Sequence, residues 1–199
     1  MKSIFAAISG MVVLGSVSVS ALDIGDAFPK MDASISQVKA VDGKTINLNT
    51  HRGSEGTLVV FSCNHCPFVK MWEDRSRDLG NKYANKLAVI QINSNDAEAY
   101  PEDNFENMKI RAKEKSFSFP YAMDSTSKVA TAFGATKTPE FFLFGKDGKL
   151  AYKGALDDNQ KADKVKINFL ANAIEALMAG KKIDPSKTNS VGCGIKFRS

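Results

Sequence analysis

The chain has 199 residues, 43% of them hydrophobic and 25% charged, with a formal net charge of +5. That is enough apolar material for one buried core, and it excludes a disordered, collagen-like, coiled-coil or multi-span membrane chain. The positive excess sits late, where Lys181, Lys182, Lys187, Lys196 and Arg198 face only Asp184; no clustered basic face with aromatic reading elements goes with them, so no nucleic acid is expected as a partner.

Lys2 precedes an uncharged stretch from Ile4 to Leu22 that contains Val19-Ser20-Ala21, the pattern of a secretory signal cleaved after Ala21. Residues 1–21 are expected to be removed, which leaves no stable membrane span and a periplasmic or secreted product. An uncleaved anchor is the alternative, against which the serines and glycines of the stretch count. Residues 22–180 then form one domain, and 181–199 a basic tail carrying Cys193. Segments 35–41 and 45–48 flank Asp42-Gly43 and predict a β-hairpin. The run 57–62, rich in β-branched residues, predicts a buried strand that leads straight into Cys63. A helix is expected over 67–84, with Pro67 tolerated in its first turn. The next buried strand is 87–92, followed by a polar loop at the carboxyl end of that strand, where ligands of open α/β sheets gather. A helix over 102–115 opens with acids and closes with bases. Then come a strand over 119–123, a short helix over 127–133, a hairpin of 140–144 with 149–153, and a last helix over 163–179 stopped by Gly180. The order calls for an α/β three-layer sandwich, a mixed sheet between helices, with an N-terminal β-hairpin extension and a C-terminal tail.

The chemistry is concentrated in Cys63-Asn64-His65-Cys66. At a strand-to-helix junction the helix N-terminus favours a thiolate on Cys63, and the two-residue spacing brings Cys66 close enough to attack a mixed disulfide. His65 would add an imidazolium that stabilises the reduced form and pushes the pair towards being an oxidant. A structural short-loop disulfide is the bland alternative. A zinc knuckle lacks its second Cys-x-x-Cys, so no metal and no cofactor are expected. Cys193, between Gly192 and Gly194, is a candidate third redox thiol: the tail would fold back to pair it with Cys63 or Cys66, unless it serves intermolecular pairing. His51, in a polar loop, is assigned no role.

With Ile24-Gly25-Asp26, Phe28-Pro29, Asp42-Gly43-Lys44, the Cys63–Cys66 motif, Thr138-Pro139 and Lys146-Asp147-Gly148-Lys149, the chain resembles the thioredoxin-like superfamily, in its extracytoplasmic redoxin branch of peroxiredoxin-like and TlpA-like proteins. The resemblance implies that Pro139 follows a cis peptide bond beside the cysteines, and that Thr138 offers main-chain hydrogen bonds to an extended substrate. It also implies protein thiols or disulfides as substrates, and a redox partner protein. Two departures matter. Cys63 follows Val59-Val60-Phe61-Ser62 rather than the Pro and Thr that cradle a peroxide. Thr57 stands where thioredoxins carry a buried acid, so proton transfer is assigned to Glu73 or Glu140. The leading expectation is a thiol-disulfide oxidoreductase; the alternatives are a thiol peroxidase and a Cu(I)-binding chaperone using the same cysteines.

Overall fold

The structure, a computed structural model, describes residues 21–198; apart from Ala21, the expected signal lies outside the described residues. A single turn, α1 (Ala33–Ser36), is opened by Asp32, whose carboxylate accepts from the Ser34 N–H at 2.9 Å. β1 (Gln37–Ala40) and β2 (Thr45–Asn47) pair antiparallel about Asp42-Gly43, with Gly43 at φ +88°. The expected hairpin is therefore present, but residues 35 and 36 belong to the helical turn, because the Asp32 cap engages the amides there.

β3 (Gly56–Ser62) is buried along its length, α2 (Pro67–Tyr83) follows it, and β4 (Leu87–Asn93) returns parallel to β3. Then come α3 (Phe105–Glu114), β5 (Tyr121–Met123), α4 (Lys128–Phe133) and β6 (Lys137–Thr138). The chain closes with β7 (Glu140–Gly145), β8 (Leu150–Gly154), α5 (Phe169–Met178) and β9 (Cys193–Gly194). Seven strands lie in the order β2-β1-β5-β4-β3-β7-β8, while β6 and β9 form a separate small ladder. Alternation along β3 sends Leu58 and Val60 into one core with Trp72, Leu170 and Ile174, and Val59 and Phe61 into the other with Val129, Ala130 and Phe133. Helices α2 and α5 thus cover one face and α4 the other, which is the expected three-layer α/β sandwich.

Two helices differ from their expected extents. The segment read as a helix over 102–115 is broken: Pro101–Asp103 is a 3-10 turn, and Asn104, extended at φ −66° and ψ 163°, caps α3 by accepting from Asn107 N–H at 2.8 Å. Asp103 is thereby freed from a helical first turn. The last helix begins at Phe169 rather than 163, because the Asp158 carboxylate accepts from the Lys166 and Ile167 amides at 2.9 and 3.1 Å and holds that stretch extended. Pro120, which cannot donate to a ladder, likewise delays β5 to Tyr121.

Residues 181–198 lie along the domain. Thr188 Oγ1 accepts from Ala155 N–H at 2.9 Å and shares a 2.7 Å hydrogen bond with the Tyr152 hydroxyl. Farther on, Ile195 is buried in the core beneath α4, Arg198 N–H donates to Ser127 Oγ at 3.0 Å, and the Arg198 guanidinium pairs with Glu98.

Candidate active site

Cys63 directly follows the buried strand β3, and Cys66 is the N-cap residue of α2, with Pro67 supplying the first turn. The loop between them is pinned by Asn64, which donates to the Glu102 carbonyl at 2.9 Å and accepts from the Tyr121 hydroxyl at 3.0 Å. Opposite stands Thr138, joined to Pro139 by a cis peptide bond. Its hydroxyl lies 3.6 Å from Cys63 Sγ, and its carbonyl 3.3 Å from Cys66 Sγ. Cys63, Cys66, Thr138 and Pro139 therefore converge as the sequence led us to expect. All three cysteines are free thiols, and Cys63 and Cys66 are 1% and 0% exposed.

Asp103 is the residue that sequence reasoning missed. Its fully buried carboxylate accepts from Asn64 N–H at 2.6 Å, His65 N–H at 3.3 Å and Asn95 Nδ2 at 2.7 Å. It also meets His65 Nδ1 at 2.6 Å. The His65 ring stacks on Tyr100 at a centroid distance of 5.5 Å. Cys63 Sγ, a His65 ring nitrogen and an Asp103 oxygen lie within 4.8 Å of one another. The one sequence signal was an acid inside Pro101-Glu102-Asp103-Asn104, where an Asn cap interrupts the helical pattern.

The two carboxylates singled out from sequence are committed elsewhere. Glu73, buried on α2, receives Arg111 through two hydrogen bonds of 2.7 and 2.5 Å and Lys115 at 3.3 Å, tying α2 to α3. Glu140 Oε2 accepts from the Thr136 and Lys137 amides at 2.9 and 3.2 Å, and so shapes the turn that presents Thr138. The 93–96 loop is no ordinary solvated loop. Asn93, Ser94 and Asn95 are buried, and Asn95 joins Asp103 to the tail by accepting from Lys196 N–H at 2.8 Å.

The two buried sulfurs titrate as one coupled pair, and the Asp103 carboxylate works against the thiolate expected on Cys63. Its hydrogen bond to Cys66, its burial and the Asp103 carboxylate together hold the Cys63 thiol well above the ordinary range. Cys66 is the sulfur lowered, by that same hydrogen bond and by further donation from Cys193 and the Val69 amide. Cys66 Sγ donates to the Thr138 carbonyl, a contact that serves only its protonated form and opposes this lowering. Cys193 faces Thr138 in the antiparallel register of β6 with β9 and packs against the Cys63, Cys66 and Val69 cluster.

A dithiol at the junction of a central parallel strand and a helix, facing a cis-proline turn in a three-layer sandwich, defines a thioredoxin-like redoxin. Residues 24–153 match the AhpC/TSA family, and the chain belongs to it. It is similar to a hypothetical protein of Sinorhizobium meliloti at 31% identity and a TM-score of 0.81, covering 90% of this chain and 97% of that one. An uncharacterized conserved protein of Geobacillus kaustophilus is 35% identical with a TM-score of 0.78, covering 95% and 98%. Peroxidoxin BcpB of Mycobacterium tuberculosis shares the fold at 16% identity and a TM-score of 0.58, covering 78% and 96%. Among curated proteins none matches.

Proposed function

We propose that the chain is a secreted or periplasmic thiol-disulfide oxidoreductase that cycles Cys63 and Cys66 between dithiol and disulfide, with protein thiols or disulfides as substrates. The observation that carries this reading is two buried sulfurs in one cluster at the head of α2, each in contact with Thr138. As a substrate disulfide approaches, Cys63 passes its proton to the Cys66 thiolate and attacks one substrate sulfur. The S–S electron pair leaves on the other sulfur, which takes the proton back from Cys66. Cys66 then attacks Cys63, closes the Cys63–Cys66 disulfide and releases the second substrate thiolate. Cys66 is thus base first and resolving nucleophile second. His65 and Asp103 hold the loop in register and set the field at Cys63.

Stabilising the monoanion stabilises the reduced pair. The reduction potential, measured against a glutathione series in Cys193→Ser protein, is therefore expected nearer the roughly −120 mV of DsbA than the roughly −270 mV of thioredoxin. Cys63→Ser and Cys66→Ser should each abolish turnover of a protein disulfide. Peroxide consumption outpacing disulfide exchange would replace this reading by a thiol peroxidase. Submicromolar one-to-one Cu(I) binding lost in Cys63→Ser, together with a pair that fails to oxidise, would replace it by a metal chaperone.

A further inference from the structure

We propose that Cys193 is a third redox residue that exchanges with Cys66 and so carries the disulfide from the buried pair to the surface. This rests on Cys63 and Cys66 being the redox pair and adds an outlet to it. Three placements support the assignment. First, β9 pairs with β6 so that Cys193 lies opposite Thr138, the residue whose carbonyl meets Cys66 Sγ. Cys193 packs against the buried cluster of Cys63, Cys66 and Val69. Second, the tail is anchored on either side of Cys193, by Thr188 upstream and by Ile195 and Lys196 downstream, with Ile195 N–H donating to the Thr136 carbonyl at 3.0 Å. Gly192 serves close approach: a Cβ at position 192 would lie 2.2 Å from the Thr138 oxygen. Third, Cys63 and Cys66 are closed off, whereas Cys193 is partly exposed, so a folded partner meets Cys193 without displacing the tail.

The exchange balances without an added oxidant. In the oxidised protein the Cys193 thiolate attacks Cys66 Sγ. The Cys66–Cys193 bond forms, the Cys63–Cys66 bond breaks with its electron pair on Cys63, and the proton given up by Cys193 ends on Cys63. In the reduced protein, burial and the hydrogen bond to Cys66 raise the Cys193 thiol to about 11, while Lys196 and Lys137 act in the opposite sense. Once Cys66 is bonded to Cys63 its negative charge is gone and the two lysines remain. A partner thiolate attacking Cys193 then removes the disulfide; run backwards, the same steps bring a partner's disulfide in.

The test oxidises Cys63→Ser protein at micromolar concentration across a glutathione series and maps disulfides by mass. The expected product is a monomer with a Cys66–Cys193 bond at an effective concentration of about millimolar or more, which is roughly a thousandfold preference over dimers. Adding Gly192→Ala, which disturbs the strand pairing and touches no thiol, should lower that effective concentration by about tenfold or more. Only free thiols, glutathione adducts or dimers in Cys63→Ser would overturn the proposal, as would readier closure of Cys63–Cys193 in Cys66→Ser. Cys193→Ser separates the two claims. If Cys63–Cys66 fails to form there, the oxidoreductase reading falls; if it forms there and Cys63→Ser yields no Cys66–Cys193 bond, only the outlet falls.

Discussion

Replacing Asp103 by Asn removes a negative charge next to Cys63 with almost no change in volume. Coulomb's law at 4.8 Å, the widest separation of these groups, with an effective dielectric of about 20, gives about 3.5 kcal/mol, or about 2.5 pH units, for the carboxylate's unscreened effect on the Cys63 thiolate. Because Asn64, His65 and Asn95 donate to the same carboxylate and drain part of its field, the expected effect is a fall of about one to two pH units in the Cys63 midpoint. The sign follows from like charge: the carboxylate disfavours a neighbouring thiolate, so its loss makes Cys63 more acidic. The assay is the pH dependence of iodoacetamide alkylation, with thiolate absorbance as a second readout, in a Cys66→Ser/Cys193→Ser background where Cys63 titrates alone. A stability loss of about 2–4 kcal/mol should accompany it, because the new amide faces His65 Nδ1 and Asn95 Nδ2, both held as donors. A midpoint that stays put or rises in protein of native circular dichroism would refute the electrostatic role given to Asp103.

Glu73→Gln should cost about 2–4 kcal/mol in urea unfolding, since Arg111 and Lys115 lose a buried partner but are themselves able to hydrate. It should leave the Cys63–Cys66 glutathione equilibrium unchanged; a changed equilibrium would restore Glu73 to the chemistry. His51, whose Nε2–H donates to the Val89 carbonyl at 3.3 Å, has its pKa pushed below 6.5 by burial. In the window from 6.5 down to that lowered value the unfolded chain binds more protons, so stability falls as the pH falls through it. The urea midpoint should thus drop more between about pH 7 and pH 5.5 in the wild type than in His51→Gln, and equal drops would contradict the burial argument.

What the sequence made legible was local. The run into Cys63, the Pro67 start of α2 and the two hairpins each announce themselves within a few residues, through β-branched apolar runs, a first-turn proline and Asp-Gly turns. The dithiol and the cis-proline turn were found because motif and fold agree. The rest depends on side chains that cap or pair at a distance. Asn104 breaks a run of acids and bases that reads as one helix, and only that break turns Asp103 towards His65. Glu73 and Glu140 were plausible proton carriers until Arg111 and the 136–137 amides took their oxygens. The tail shows no strand pattern, because its two paired residues answer Lys137 and Thr138 rather than a periodicity of their own.

The pairing of β9 with β6 leaves the Thr138 edge already taken. An extended polypeptide that would lie along Thr138 must compete with a strand on the same chain, one whose local concentration no dilution lowers. Such a partner binds only the fraction of molecules with the tail lifted, and a tail lifted about 1% of the time weakens every such partner about a hundredfold. Casual contacts with unfolded chains fall below that threshold. A partner that meets Cys193 in place pays no such toll, so the tail sorts visitors by where they touch before any sulfur reacts.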